Sequence, residues 1–201
     1  MNRGIDDAIF TWNFWVYIGV LIGFLTITGC QSNPDVGRQP DPQPMEILSL
    51  PDSDLLRLAD DLYNRHEHEK VLIVLEECLK RGLQPDESSF RKGVSLFELG
   101  RRDDAVESLI KTLEFNPNHL KAHFNLGAIY YENHEFQKSI DNYEAARILK
   151  PDDDQTVYGI AASQFALGRY AEAKKNANTA LRINPNNTNA KTLLKMLNAR
   201  N

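Results

Sequence analysis

The sequence predicts an all-α solenoid of antiparallel helix pairs, and three observations support this fold class. Proline recurs at a constant spacing of 34 residues, at Pro117, Pro151 and Pro185, and each is followed by Asn or Asp. Small side chains recur at fixed positions between these prolines, and the last segment is apolar along one side only. A period of this length is typical of stacked helix-turn-helix repeats, in which each unit buries its apolar face against its neighbours.

Four repeats are found when each is numbered so that the periodic proline is position 32. They span residues 52–85, 86–119, 120–153 and 154–187. The first is degenerate, because Leu83 takes the proline position and Pro85 comes two residues late. Position 8 holds Ala59, Gly93, Gly127 and Ala161, position 20 holds Val71, Ala105, Ser139 and Ala173, and position 27 holds Cys78, Thr112, Ala146 and Ala180. Residues this small let two helices approach closely, so each repeat is predicted to be a packed helix pair.

A single capping helix is predicted over residues 188–201. Its apolar residues recur at i, i+3, i+4 and i+7: Ala190, Leu193, Leu194 and Leu197. Polar residues occupy the opposite side. A helix of this kind covers the apolar face that the last repeat of a stack leaves open.

The turn inside each repeat falls at position 15, where the chain has His66, Gly100, His134 and Gly168. Gly adopts the left-handed conformation freely and His more often than most residues, so we expect a left-handed turn there. This explains His66 without a metal, although residues 66–69 are of metal-binding types. The sequence has no phosphate loop and no nucleophile motif, so we predict no cofactor, metal site, small-molecule substrate or enzymatic activity.

The repeat resembles the tetratricopeptide repeat family over about three quarters of the chain. The third repeat matches the family motif most fully, with Leu126, Gly127, Tyr130, Ser139, Tyr143 and Pro151. Ser89 and Lys92 depart from it, since the family prefers apolar residues at these positions. The resemblance implies a right-handed solenoid that binds proteins or peptides rather than catalysing a reaction.

In this family the inner, concave groove is formed mainly by positions 2, 5, 9, 12 and 13 of each first helix. The resemblance therefore implies the following partner-binding residues: Tyr63, Phe90, Phe97, Lys121, Phe124, Tyr131, Tyr158 and Phe165. The family's carboxylate clamp would need Lys and Asn in place of Phe90 and Val94, so capture of a chaperone C-terminus is not expected. Binding through another face and self-association, with a second copy or residues 45–50 in the groove, remain alternatives.

The N-terminal segment is expected to direct export. Val16–Thr28 is almost wholly apolar, as in the core of a signal peptide, and the four residues ending in Cys30 resemble the bacterial lipobox. We therefore expect residues 1–29 to be a lipoprotein signal peptide and Cys30 to carry lipid. Gln31 then implies the outer membrane of the bacterial cell envelope, with the repeats facing the periplasm. An uncleaved anchor over Phe10–Gly29, which is 20 residues long, is the alternative.

Residues 30–51 are predicted to form a proline-rich tether between the lipid and the repeats. An extended chain of this length reaches up to roughly 65 Å. The mildly apolar Met45–Leu50 leaves a second placement open, packed on the first repeat. The net charge of the chain is −5, and its sequence has no basic stripe with interleaved aromatic residues. No nucleic acid partner is therefore predicted. Together these features predict a membrane-tethered adaptor or scaffold in envelope assembly.

Overall fold

A computed structural model describes residues 44–199 of the 201-residue chain. The predicted signal peptide, Cys30 and most of the predicted tether lie outside the described residues. Ten helices are described: α1 (Pro44–Ile47), α2 (Asp52–Asn64), α3 (His68–Lys80), α4 (Pro85–Glu98), α5 (Arg102–Phe115), α6 (Leu120–Glu132), α7 (Phe136–Leu149), α8 (Asp154–Ala166), α9 (Tyr170–Ile183) and α10 (Thr188–Asn198).

The helices from α2 to α9 form four pairs, and each pair packs on the next. Helix α2 packs with α3, α4 with α5, α6 with α7 and α8 with α9, and the second helix of each pair also contacts the first helix of the following pair. No strand occurs between residues 44 and 199. The predicted all-α solenoid of helix pairs is therefore confirmed.

The turn between the two helices of a pair is left-handed in all four repeats. The φ angles are 59° at His66, 75° at Gly100, 61° at His134 and 77° at Gly168, which confirms the prediction from the sequence. The N–H of each of these residues donates to the carbonyl three residues earlier, as His66 does to Tyr63 over 3.0 Å. The next N–H bonds five residues back, so each first helix ends in the same hydrogen-bonded cap.

The small residues at positions 8, 20 and 27 lie at the contacts between helices, and nearly all are fully buried. Tyr143 of α7 shows how close these contacts are, because its ring lies against glycines of both α6 and α8. A Cβ atom built on Gly127 would come within 2.9 Å of the ring, and one built on Gly159 within 2.6 Å. Both distances are shorter than real carbon contacts, so only glycine fits at these two positions.

Polar contacts also join the helices, both within a pair and between pairs. Ser139 of α7 donates to the carbonyl of Gly127 over 2.7 Å, and its Oγ lies 2.8 Å from the Oγ of Ser163 in α8. The amide of Asn116 donates to Asp86 over 3.2 Å, and this hydrogen bond holds the pKa of the Asp86 carboxyl below its ordinary value. These bonds satisfy buried polar groups that would otherwise destabilise the array.

The segment before the first repeat packs on the end of the array. Ile47 is 5% exposed and lies in the same apolar cluster as Leu55 and Leu62. The Arg81 guanidinium donates to the carbonyls of Leu48 and Leu50 over 2.8 and 2.7 Å. Residues 46–50 therefore adopt the packed placement. Because α1 contacts α3, a second helix of a pair, the alternative in which this segment fills the groove is wrong.

At the other end, α10 covers the last pair. Ala190, Leu193 and Leu197 are at most 5% exposed and pack against α8 and α9. The side chain of Asn187 accepts a hydrogen bond from the N–H of Ala190 over 2.8 Å and so caps the helix N-terminus. The apolar spacing read from the sequence identified the buried side of this helix correctly.

Replacing Gly159 with Ala should destabilise the array. In an exposed helix this change stabilises by up to about 1 kcal/mol, but here the new methyl would overlap the Tyr143 ring, and overpacking of this kind costs about 1–3 kcal/mol. Urea unfolding followed by circular dichroism measures the effect. In a Tyr143→Leu background the added methyl should cost less, whereas an equal cost in both backgrounds would contradict the proposed contact.

Candidate functional site

All eight residues predicted to line the groove lie on the first helices of the four pairs. Tyr63 lies on α2, two residues each on α4 and α8, and the remaining three on α6. Lys121 is exposed, Phe90 is only 6% exposed, and the other six rings are partly buried. The structure therefore places these residues on the first helices of successive pairs. The surface that each side chain offers to a partner differs.

Two of the rings at position 5 pack against other aromatic side chains of their own repeats. The Phe90 ring lies 4.7 Å from the ring of His119, measured between centroids. The Phe124 ring meets Tyr143 edge-on at 5.5 Å. These aromatic contacts contribute to packing beyond the area that they bury, so Phe90 and Phe124 serve the fold at least as much as a partner.

From the second repeat onward, the ring at position 12 lies against the side chain at position 17. Position 17 is the first residue of the second helix of each pair. The Tyr131 ring is 5.5 Å from Phe136, and the Phe165 ring is 5.5 Å from Tyr170. In the second repeat, the guanidinium carbon of Arg102 lies 5.9 Å from the centre of the Phe97 ring. The sequence analysis missed position 17, although reading that column of the repeat shows His68, Arg102, Phe136 and Tyr170.

Arg91 of α4 is a further residue that the sequence analysis missed. Its guanidinium pairs with Asp60 of α2 and donates to Glu87 over 2.7 Å. The same group lies 5.5 Å from the centre of the Tyr63 ring. Arg91 thereby joins the first two repeats and covers one of the predicted partner-binding rings. Its signal in the sequence was an arginine at position 6, where the later repeats have Asn125 and Gly159.

The later repeats present a less charged surface. Position 9 is Ala128 in α6 and Ala162 in α8, and position 13 changes from Glu132 to Ala166. Burial raises the pKa of the Tyr158 phenol to about 12, from an ordinary value of 10.0. The groove thus consists of a first half crossed by Arg91 and Arg102 and a second half of rings and small residues, in which α6 contributes the charged Lys121 and Glu132.

The candidates for chemistry give no site in the described part of the chain. No cluster of three or more metal-binding side chains occurs within residues 44–199. His66 and His68 lie near each other, with ring centres 5.8 Å apart. Cys78 is fully buried, and burial raises the pKa of its thiol to about 11, so it packs as a small apolar residue. None of the helices described is long and apolar enough to cross a bilayer.

Family comparisons agree with this architecture. Residues 90–154 match a family model described as tetratricopeptide repeat, and residues 155–187 match a second one with the same description. This chain is a tetratricopeptide repeat protein. Tetratricopeptide arrays are scaffolds for protein interaction and generally not enzymes.

Two curated proteins share part of this tetratricopeptide array. The DnaJ homolog subfamily C member 3 homolog of Dictyostelium discoideum is 25% identical over 114 residues, which are 54% of this chain and 22% of that protein. Superkiller complex protein 3 of Mus musculus is 30% identical over 83 residues, which are 41% of this chain and 5% of that protein. The chain thus spans a small part of the relatives that it matches.

Solved structures with the same fold include MamA, residues 41 to the end, from Desulfovibrio magneticus RS-1. It has a TM-score of 0.70 and 20% identity, over 74% of this chain and 84% of that one. The first tetratricopeptide domain of Spaghetti (RPAP3), bound to an HSP90 peptide, has a TM-score of 0.56 and 24% identity, over 58% of this chain and 93% of that one. At these identities the comparison establishes the fold.

The burial of Tyr158 should make the tetratricopeptide array less stable at high pH. Its folded pKa of about 12 exceeds the ordinary value of 10.0, so the unfolded chain ionises first as the pH rises. The contribution is therefore complete below pH 10 and is lost between pH 10 and 12, at about 1 kcal/mol per pH unit. Urea unfolding at pH 9–11 should show a smaller decline for Tyr158→Phe than for wild type. Equal declines would contradict this assignment.

Proposed function

We propose that this protein is an adaptor or scaffold that binds a protein or peptide segment in the groove of its tetratricopeptide array. The observation that supports the proposal is the row of partly buried rings at position 12, Tyr63, Phe97, Tyr131 and Phe165, on four successive first helices. Aromatic side chains give large contact area at low cost in conformational entropy, and they are enriched among residues that dominate binding energy.

The second half of the groove is the part best suited to a partner. Arg91 and Arg102 already cover Tyr63 and Phe97, so a ligand there would have to replace contacts within the protein. Next to Tyr131 and Phe165 the position 9 residues are alanines, which leave room for a partner's backbone. The bound Spaghetti domain supports peptide binding by this fold. Phe90 and Val94 occupy the clamp positions, so the partner need not end in a chaperone-type carboxylate.

We also propose that lipid on Cys30 holds the array at a bacterial membrane. Support comes from the lipobox-like residues 27–30 at the end of an apolar segment and from the proline-rich stretch that follows. One acyl chain anchors a protein only marginally, whereas two or more hold it firmly. Gln31 favours the outer membrane, with the array in the periplasm. In that place an adaptor would serve envelope assembly, in pilus or secretion, outer-membrane or cell-wall machinery.

The groove proposal predicts that Phe97→Ala combined with Tyr131→Ala weakens partner binding at least tenfold. Each ring removed from the centre of an interface typically costs 2 kcal/mol or more, and about 1.4 kcal/mol is tenfold in affinity. Crosslinking and affinity capture from native membranes, quantified by mass spectrometry, compares this variant with wild type. Unchanged helicity must be shown first.

A matched control is Phe115→Ala combined with Ile148→Ala, which removes exposed apolar side chains from second helices. This control should capture the partner as wild type does. Loss of the partner in the control alone would move the site to the second helices. If the chain captures only copies of itself, the adaptor proposal fails and a self-associating structural role replaces it.

The lipid proposal predicts a mature protein that begins at Cys30 and carries acyl chains. Mass spectrometry of the N-terminal proteolytic peptide from the membrane fraction detects both features. Cys30→Ala should abolish acylation and cleavage together, because the peptidase acts after the thiol is lipidated. An unmodified chain that retains residues 1–29 in wild type and variant alike would instead establish the uncleaved anchor over Phe10–Gly29.

A further inference from the structure

Charge is sorted along the array. Residues 52–153 contain 21 acidic and 14 basic side chains, whereas residues 154–199 contain two acidic and six basic ones. The two acidic side chains of the later segment already accept hydrogen bonds within the protein. Asp154 accepts from Asn187 over 2.7 Å, and Glu172 accepts from Gln164 over 3.3 Å. The last repeat and the capping helix are therefore basic, and the first three repeats are acidic overall.

Ion pairing follows the same division. In the first three repeats nearly every lysine and arginine pairs with a carboxylate, as Lys92 does with Glu76 over 3.2 Å. Among residues 154–199, the structure shows no ion pair to any lysine or arginine. The six basic residues are Arg169, Lys174, Lys175, Arg182, Lys191 and Lys195. Cations without an internal partner are available to an anionic surface from outside the chain.

Two second helices carry opposite charges at equivalent positions. Positions 22, 25 and 29 of a repeat lie on one side of its second helix, because their spacing is i, i+3 and i+7. We call these residues the acidic stripe in α5 and the basic stripe in α9. The acidic stripe is Glu107, Ile110 and Glu114, and the basic stripe is Lys175, Asn178 and Arg182; all six are exposed. Within residues 44–199 none of the four charged side chains is in an ion pair.

The other two second helices lack a stripe of this kind. At positions 22 and 29, α3 has Ile73 and Lys80, and Lys80 pairs with a glutamate of its own helix. At the same positions α7 has Asp141 and Ile148, and Asp141 accepts a hydrogen bond from Gln137 over 2.9 Å. Among the described second helices, α5 is therefore the one whose outer charges complement those of α9.

An open groove runs along the acidic stripe. It lies between α5 and the start of α7, has a volume of about 540 Å³, and includes Val106, Ile110 and Tyr130 in its lining. Ile110 is 43% exposed. Four acidic and two basic side chains also line the groove, and one of the basic ones, Lys138, is already paired with Glu135. The groove thus combines an apolar lining with an excess of negative charge.

We infer that the basic stripe of one copy of this protein docks in the groove along the acidic stripe of a second copy. In each stripe the two charges are seven residues apart, which is about 10 Å at 1.5 Å per residue. Both ion pairs can therefore form at once. Asn178 then lies opposite Ile110 and removes its side chain from water, which adds an apolar contribution to the charge pairs.

The contact is head-to-tail, because it joins two different faces of the same chain. Each copy uses α9 toward one neighbour and α5 toward the next, so copies line up in an open row. Both stripes lie on second helices, so the groove of the first helices stays open to a partner. An anchor at Cys30, as proposed above, would raise the effective concentration of copies and favour the row.

Analytical ultracentrifugation of the full chain in nanodiscs of neutral phosphatidylcholine, with one copy in each, tests this inference. Association should rise with protein concentration and weaken at least tenfold when salt is raised from about 50 mM to about 500 mM, because exposed charges are screened. Empty nanodiscs should not associate. Failure of wild type to associate at low salt, or association that salt does not change, would overturn the inference.

An anionic membrane is the other surface that could meet the basic stripe. Empty nanodiscs that contain phosphatidylglycerol, added to the loaded neutral ones, test for it. We expect the association between copies to persist in their presence. Binding of the anionic nanodiscs without any association between copies would overturn the inference.

Two charge-reversed variants locate the contact. Lys175→Glu with Arg182→Glu, and Glu107→Lys with Glu114→Lys, should each weaken self-association at least tenfold, because like charges then face each other. An equal mixture of the two variants should associate as wild type does, since stripes of opposite charge are again present. This restoration also shows that both variants fold. A mixture that stays dissociated, although each variant keeps the circular dichroism of wild type, would contradict the contact.

Lys191→Glu with Lys195→Glu on α10 is the matched control. It changes the net charge by the same amount at exposed lysines outside the basic stripe. Self-association should weaken less than threefold. A loss as large as that of the α9 variant would mean that net charge, rather than the stripes, governs association, and the inference would fail.

The two proposed surfaces can be tested separately. Phe97→Ala with Tyr131→Ala should self-associate as wild type does, because both rings lie on first helices. The charge-reversed variants should still capture a partner of the first-helix groove. Loss of self-association in the Phe97→Ala, Tyr131→Ala variant would place the contact between copies in that groove instead and overturn the inference.

Discussion

The position of the groove residues on α6 and α8 depends on one constraint. Helix α7 lies in close contact with both of these helices, one on either side of it. The Tyr143 ring fits between Gly127 and Gly159 because neither has a Cβ atom. The same two helices carry Tyr131 and Tyr158. The spacing and rotation of the groove rings are therefore set by a buried contact that no partner touches. Ser139, bonded to Gly127 and next to Ser163, fixes the same three helices through polar groups.

Charge divides the array into two parts with different costs of binding. In the first half, Arg91 has two carboxylate partners and a ring beneath it, so a ligand gains only the difference between its own contacts and those that it displaces. In the second half, Tyr131 and Phe165 lie against the rings of Phe136 and Tyr170, and the charged residue next to Tyr131, Glu132, pairs with Arg102. Affinity there depends on apolar fit and hydrogen bonds and should respond weakly to salt.

Most of the fold could be predicted from the 34-residue period, because periodic positions have the same environment in every repeat. The left-handed turn at His66 and His134 is an example, because glycine at the same position of the second and fourth repeats indicated the conformation. Contacts made by residues outside the period could not be predicted this way. Arg91 reaches Asp60 across a repeat boundary, and Arg81 holds Leu48 and Leu50, which precede the first repeat. Ser89 was visible in the sequence as an exception to the repeat pattern, but the burial of its unpaired hydroxyl could be recognised only in the structure.

The array also limits how far the effect of a bound partner can reach. In a solenoid each repeat contacts only its neighbours, so the stability of α4 depends on α3 and α5, with α6 next along the array. A ligand near Tyr131 and Phe165 lies two to three helix pairs away from α2. The effect of binding weakens with each interface crossed, so a partner in the second half of the groove should stabilise α6 to α9 more than it stabilises α2 and α3.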